Sequence, residues 1–124
     1  MTADNGFSAN YRILKSADFL KLSRQGKTLR APAFKIQILA NNLKHPRLGI
    51  TVSRHASKKA KVRNTIKRQV REDFRLRKHH LPSLDLVFIA NTSTGMLSRK
   101  ELSLESGRLF EMISETYRKK NICN

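Results

Sequence analysis

The chain has 124 residues, enough for one domain with a modest core and too few for two. Apolar residues make up 39%, Gly and Pro number 5 and 3, and there is a single Cys, which excludes an intrachain disulfide, a secreted disulfide scaffold and a Pro/Gly-rich disordered chain. Lys and Arg total 26 against 9 Asp and Glu, a formal net charge of +17 that repels itself in a compact fold and is relieved by a polyanion. Nucleic acid is the first candidate partner and an anionic membrane surface the second.

Residues 1–10 are polar and are expected to form a flexible N-terminus. Met1–Lys15 lacks the apolar core of a signal peptide, and the longest wholly apolar run, Leu86–Ala90, is too short to cross a bilayer, so a cytoplasmic location is expected. Ser16 is placed to cap a short helix through Phe19, Leu20 and Leu22, with Gly26 at its stop. A short strand fits around Thr28–Arg30. Phe34, Ile36 and Ile38 then alternate with Lys35 and Gln37, the pattern of a half-buried strand. After the turn cluster Asn41–Pro46, Leu48, Ile50 and Val52 alternate with Gly49, Thr51 and Ser53. The short connection predicts that these two strands pair as an antiparallel hairpin.

Ser57 to about His80 reads as a long helix stopped by Pro82. Leu86–Ala90 reads as a buried strand and Asn91–Gly95 as a loop. Ser98 with Glu101 has the form of a capping box ahead of a last helix, with Leu102, Leu109, Ile113 and Thr116 near one stripe and Gly107 weakening its middle. The order α-β-β-β-α-β-α predicts an α+β fold: a single sheet of about four strands with helices packed on it.

The long helix carries the chemistry. Between Arg54 and His80 stand eleven Lys or Arg and only Glu72 and Asp73. At about 100° per residue, Val62, Ile66, Val70 and Phe74 form one apolar stripe, and Arg63, Lys67, Arg71 and Arg75 form a basic row beside it. Asn64 and Arg68 extend that row around the outer face. Like charges four apart repel by a few tenths of a kcal/mol per pair, so folding alone gains nothing from this row. Arginine forks bind phosphate oxygens in pairs and stack on bases, and Asn64 can reach a 2′-hydroxyl or a base edge. The bland alternative is a solvated helix face, but too few acids stand near to neutralise it.

The run Lys61-Val62-Arg63-Asn64-Thr65-Ile66-Lys67-Arg68-Gln69-Val70-Arg71-Glu72-Asp73-Phe74-Arg75 resembles the R-N-x-x-K-R-x-x-R-E-x-F-R signature of the bacterial ribonuclease P protein family. Arg47–Ser53 resembles the family's strand leading into that motif, Leu81–Ala90 its final strand, and Asp18-Phe19 with Gly26-Lys27 its first helix and turn. The resemblance spans about residues 11–119. It implies a single RNA-binding domain there, with residues 120–124 as a tail, and a left-handed crossover through the basic helix. It further implies a protein subunit that assists removal of the 5′ leader from precursor tRNA, while a large RNA performs the hydrolysis. Mg²⁺ would be held mainly by that RNA and the substrate, with none bound by protein side chains alone.

On this resemblance Arg54, Lys59, Lys61, Arg63, Asn64, Lys67, Arg68, Arg71 and Arg75 would meet the catalytic RNA. The leader would lie in a trough made of Lys35 and Gln37 with Gly49, Thr51 and Ser53, the polar faces of two strands expected to be neighbours. Phe19 and Tyr117 would border it from the first and last helices, although an ordinary core position fits Phe19 somewhat better. Phe34 and Phe74 read as core. The chain departs from the family in carrying Ser23 and Gln37 where aromatics are common, which weakens base stacking in the trough.

No catalytic residue is assigned. The acids are scattered, Glu72 and Asp73 diverge on a helix, and His45, His55, His79 and His80 show no zinc spacing. No protein partner and no membrane association are expected. The main alternative is a general basic RNA-binding module such as a ribosomal protein; an independent nuclease and an anionic-membrane binder are weaker ones.

Overall fold

In the computed structural model, residues 11–13 and 15–123 are described, with side chains as far as Tyr117. Leu84, Leu86 and Phe88 point to one side of a strand and Val87 and Ile89 to the other. A segment with two apolar faces belongs in the middle of a sheet. Leu84–Ala90, here β4, takes that place, in the order β1 (Lys27–Arg30), β2 (Phe34–Ala40), β4, β3 (Arg47–Thr51). β1 and β2 are antiparallel, β2 and β4 are antiparallel, and β3 and β4 are parallel.

The expected β2–β3 hairpin is therefore wrong. The two strands do run in opposite directions, but β4 lies between them. Paired with each other, they would have left β4 at an edge with an apolar face in water. The connection Asn41–Pro46 instead passes over the start of β4: the Asn41 N–H donates to the Ser83 carbonyl at 3.1 Å, and its amide donates to Asp85 Oδ1 at 2.9 Å.

Helix α1 (Ser16–Gln25) packs on one face of the sheet. Helices α2 (Ala60–Arg77) and α4 (Arg99–Cys123) cover the other, and the one-turn helix α3 (Thr92–Gly95) precedes α4. The parallel pair β3 and β4 is joined through α2. Ser16 does not cap α1; Lys15 holds the cap position without a side-chain bond. Gly26 ends α1 at φ −75°, so its role is close approach rather than a left-handed turn. A Cβ there would stand 2.6 Å from the Leu22 carbonyl oxygen and 2.9 Å from that of Ile38. Helix α2 starts at Ala60 rather than Ser57, because the Ser57 hydroxyl caps the preceding turn by accepting from the Lys59 N–H at 3.2 Å. Lys78–His80 continue as a 3₁₀ turn.

The main core lies between the sheet and α2 with α4. Phe34 meets Phe88 at 5.4 Å between ring centroids, Phe88 stacks on Phe110 at 4.7 Å, and Phe74 meets Phe110 at 6.0 Å. All four rings are fully buried, each worth about 1.5–3 kcal/mol of transfer free energy. On α2, Ile66, Val70 and Phe74 are buried and Val62 packs against them, as the stripe predicts. On α4 the buried hydrophobic residues are Leu102, Leu109, Phe110 and Ile113, while Thr116 is exposed. Gly107 does not break the helix; Arg77 lies over it, its Nη2 3.1 Å from where a Cβ would be. Helix α4 runs on through residues 120–123, which the sequence reading treats as a tail. Residues 1–10 lie outside the described residues.

The α1 face holds a smaller core of Ile13, Leu22 and Val87, flanked by Phe19, Leu39 and Ile89. It is tied down by charge. Arg47 donates to both oxygens of buried Asp85, from Nε at 2.9 Å and Nη2 at 2.6 Å, and its Nη1 reaches Asp18 Oδ2 on α1 at 3.4 Å. The Asp85 hydrogen bonds hold the Arg47 pKa above its ordinary value against the opposing effect of burial.

Candidate nucleic-acid interface

Helix α2 presents Asn64, Lys67, Arg68, Arg71 and Arg75 around one open depression of about 350 Å³. The spacing that buries Ile66, Val70 and Phe74 turns these side chains outward. Glu72 is the one acid lining it, and it pairs with Arg75 through both Nε and Nη2. The Glu72 hydrogen bonds hold the Arg75 pKa above its ordinary value. The side chains of Asn64, Lys67 and Arg68 have no hydrogen-bond or ion-pair partner among the described residues.

The other residues of the predicted row divide. Arg63 folds back, donating from Nη1 to the carbonyls of Ser57 at 2.9 Å and Lys58 at 3.0 Å. It shapes the loop before α2 more than it extends the ridge. Arg54 and Lys59 are exposed on that loop, at its turn and at the N-cap of α2. Lys61 faces a second depression, of about 410 Å³, together with Thr65, Gly95 and Arg99.

The trough differs from expectation. Gln37 pairs with Val87, which pairs with Gly49, and Lys35 pairs with Ile89, which pairs with Thr51. The polar residues of β2 and β3 share one face, but an apolar strand runs between them because β4 is central. Ile89 therefore forms part of the floor. Register also adds Thr28 and Arg30 of β1, opposite Gln37 and Lys35. Sequence reasoning missed all three; the two-faced pattern of β4 was the available signal. Phe19 overlies this face: a Cβ on Gly49 would stand 2.8 Å from its ring. Ser53 lies beyond the end of β3, its hydroxyl accepting from the His55 N–H at 3.2 Å. Tyr117 does not border the trough. It packs into the main core beside Lys27, Leu29 and Ile38, with the sheet between it and Phe19.

A family model described as Ribonuclease P matches residues 7–114. The chain is 44% identical over 91 residues to the ribonuclease P protein component of Haemophilus influenzae, covering 73% of this chain and 76% of that one. It is 38% identical over 112 residues to that of Photobacterium profundum, covering 90% and 95%. This chain belongs to the ribonuclease P protein family. Its fold agrees: the Staphylococcus aureus ribonuclease P protein superposes with a TM-score of 0.76 at 31% identity, over 84% of this chain and 94% of that one. The Thermotoga maritima ribonuclease P protein does so with 0.65 at 32%, over 78% and 96%.

Within this member of the ribonuclease P family, the acids are largely committed. Asp18 and Asp85 pair with Arg47, Asp73 and Glu111 with Arg77, Glu72 with Arg75, and Glu105 with Arg108. Among the described residues, no three His, Cys, Asp or Glu stand close enough to hold a metal ion, and no helix is long and apolar enough to cross a membrane.

Proposed function

We propose that the chain is the protein subunit of a ribonuclease P ribonucleoprotein. The catalytic RNA lies along α2 and the loop before it, against Asn64, Lys67, Arg68, Arg71 and Arg75 with Arg54, Lys59 and Lys61. The 5′ leader of precursor tRNA crosses the α1 face of the sheet, over Lys35, Gln37, Ile89 and Thr51, with Phe19 at one side. One observation carries the reading: a basic depression on the signature helix of a ribonuclease P family fold, with Lys67 and Arg68 left unpaired among the described residues. Phosphate contacts from such a ridge supply affinity, and an open polar sheet face suits an extended single strand.

Among the described residues, most carboxylates are paired with arginines. In this reading the metal is held by the RNA and its substrate, and the protein contributes charge and position. The reaction takes place in the cytoplasm.

The test is single-turnover cleavage of precursor tRNA at low Mg²⁺ with protein alone, a bacterial ribonuclease P RNA alone, both, and neither. Efficient cleavage at the mature 5′ end only in the mixture is expected. Cleavage by the protein alone would move the chemistry onto this chain. No assistance to the RNA would favour a general RNA-binding module instead.

A further inference from the structure

The loop that leads into α2 is not left to itself. Within it, the Ser53 hydroxyl accepts from the His55 N–H and the Ala56 N–H donates to the Ser53 carbonyl at 3.1 Å. Arg63 grips its far end. Its middle is held from outside, by the one-turn helix α3. The Thr92 hydroxyl donates to the His55 carbonyl at 3.2 Å, and Gly95 lies so close that a Cβ would stand 2.0 Å from the Ala56 carbonyl oxygen. Ordinary contact starts at 3.4 Å, so any side chain there forces the two backbones apart.

The same turn holds the lead-in to β2. The Asn91 amide donates to the Pro32 carbonyl at 3.3 Å, and the buried Thr94 hydroxyl donates to the Ala33 carbonyl. A capping box closes α3 on itself: the Thr94 N–H donates to Asn91 Oδ1 at 3.1 Å, and the Asn91 N–H donates to the Thr94 hydroxyl at 3.0 Å. Four residues with no charge of their own thus brace two segments. One carries Arg54, Lys58 and Lys59 into the ridge, and the other starts the strand that carries Lys35 and Gln37.

We infer that Thr92 and Gly95 are positioning residues for RNA, setting the loop before α2 so that its cations meet phosphates in register with the ridge. The inference rests on the proposed RNA-binding function. A preset loop does not lose conformational freedom on binding, which is where its affinity gain arises.

The experiment compares filter binding of a bacterial ribonuclease P RNA by the full-length protein and by Thr92→Val, Thr92→Ser and Gly95→Ala, over a salt series, with thermal melts of each. Thr92 is exposed, so Thr92→Val is expected to melt like the parent while binding about fivefold more weakly, the effect of one positioned hydrogen bond. Its salt slope should fall by roughly the 0.9 that one lost phosphate contact removes. Thr92→Ser restores the hydroxyl and should restore both readings. Gly95→Ala should lose more affinity; if it does not fold, Thr92→Val decides. Parent-like affinity in Thr92→Val, or no recovery in Thr92→Ser, overturns the inference while parental binding leaves the RNA-binding reading standing. Absence of parental binding overturns both.

Discussion

Two arginines on one helix have different surroundings, and their substitutions should part accordingly. Arg68 is exposed, and its guanidinium has no partner among the described residues. Arg68→Ala removes no packing, so its stability should stay within about 0.5 kcal/mol of the parent. Its affinity for ribonuclease P RNA should fall several-fold, with a salt slope shallower by about one. Arg63 donates to two loop carbonyls, so Arg63→Ala should also cost stability, by about 1 kcal/mol after allowing for solvent, and melt earlier than the parent. Thermal melts beside filter binding separate the two. If Arg68→Ala melts early, the outward placement of that face is wrong.

The capping box that opens α4 was legible from Ser98 and Glu101 alone, and the structure forms both halves: Glu101 accepts from the Ser98 N–H at 2.9 Å, and Ser98 accepts from the Glu101 N–H at 3.1 Å. The backbone bond first, then the hydroxyl, holds the Glu101 carboxyl below its ordinary value. A carboxyl with a lowered folded-state pKa stabilises the protein above its unfolded pKa, and that stabilisation is lost as pH falls through the folded one. Glu101→Gln should therefore melt below the parent at pH 7, and the gap should narrow as pH falls through the carboxylate range. A gap that ignores pH would remove the charge from the account. Local signals of this kind, together with the α2 stripe, mark where α1, α2 and α4 lie in the chain, within a few residues at their ends. Adjacency was less legible. The turn cluster at Asn41–Pro46 argued for a hairpin, while the competing fact, that Val87 and Ile89 also need cover, became decisive only once the strands shared one sheet. The brace made by Thr92 and Gly95 has no local signal in the sequence, because its partners, His55 and Ala56, are remote along the chain.

Across the whole molecule the charge is sorted as well as abundant. Asp73 and Asp85 are buried on arginines, and the other paired acids sit beside theirs. The depression on α2 keeps a large positive excess, and the α1 face adds Arg30 and Lys35. The loop before α2 begins where β3 leaves that face and ends where the ridge starts, so one RNA assembly can engage both surfaces. Of the eight cations assigned to the catalytic RNA, Arg63 and Arg75 donate to protein groups and Arg71 also has an interaction within the protein, which leaves Arg54, Lys59, Lys61, Lys67 and Arg68 to neutralise phosphates. Five contacts give a slope of about −4.5 in log affinity against log salt, or roughly a five-hundredfold loss from 50 to 200 mM. Filter binding across that range measures it directly. A slope near −1 would mean that the ridge is a solvated helix face after all, and that the +17 charge is read by some other polyanion.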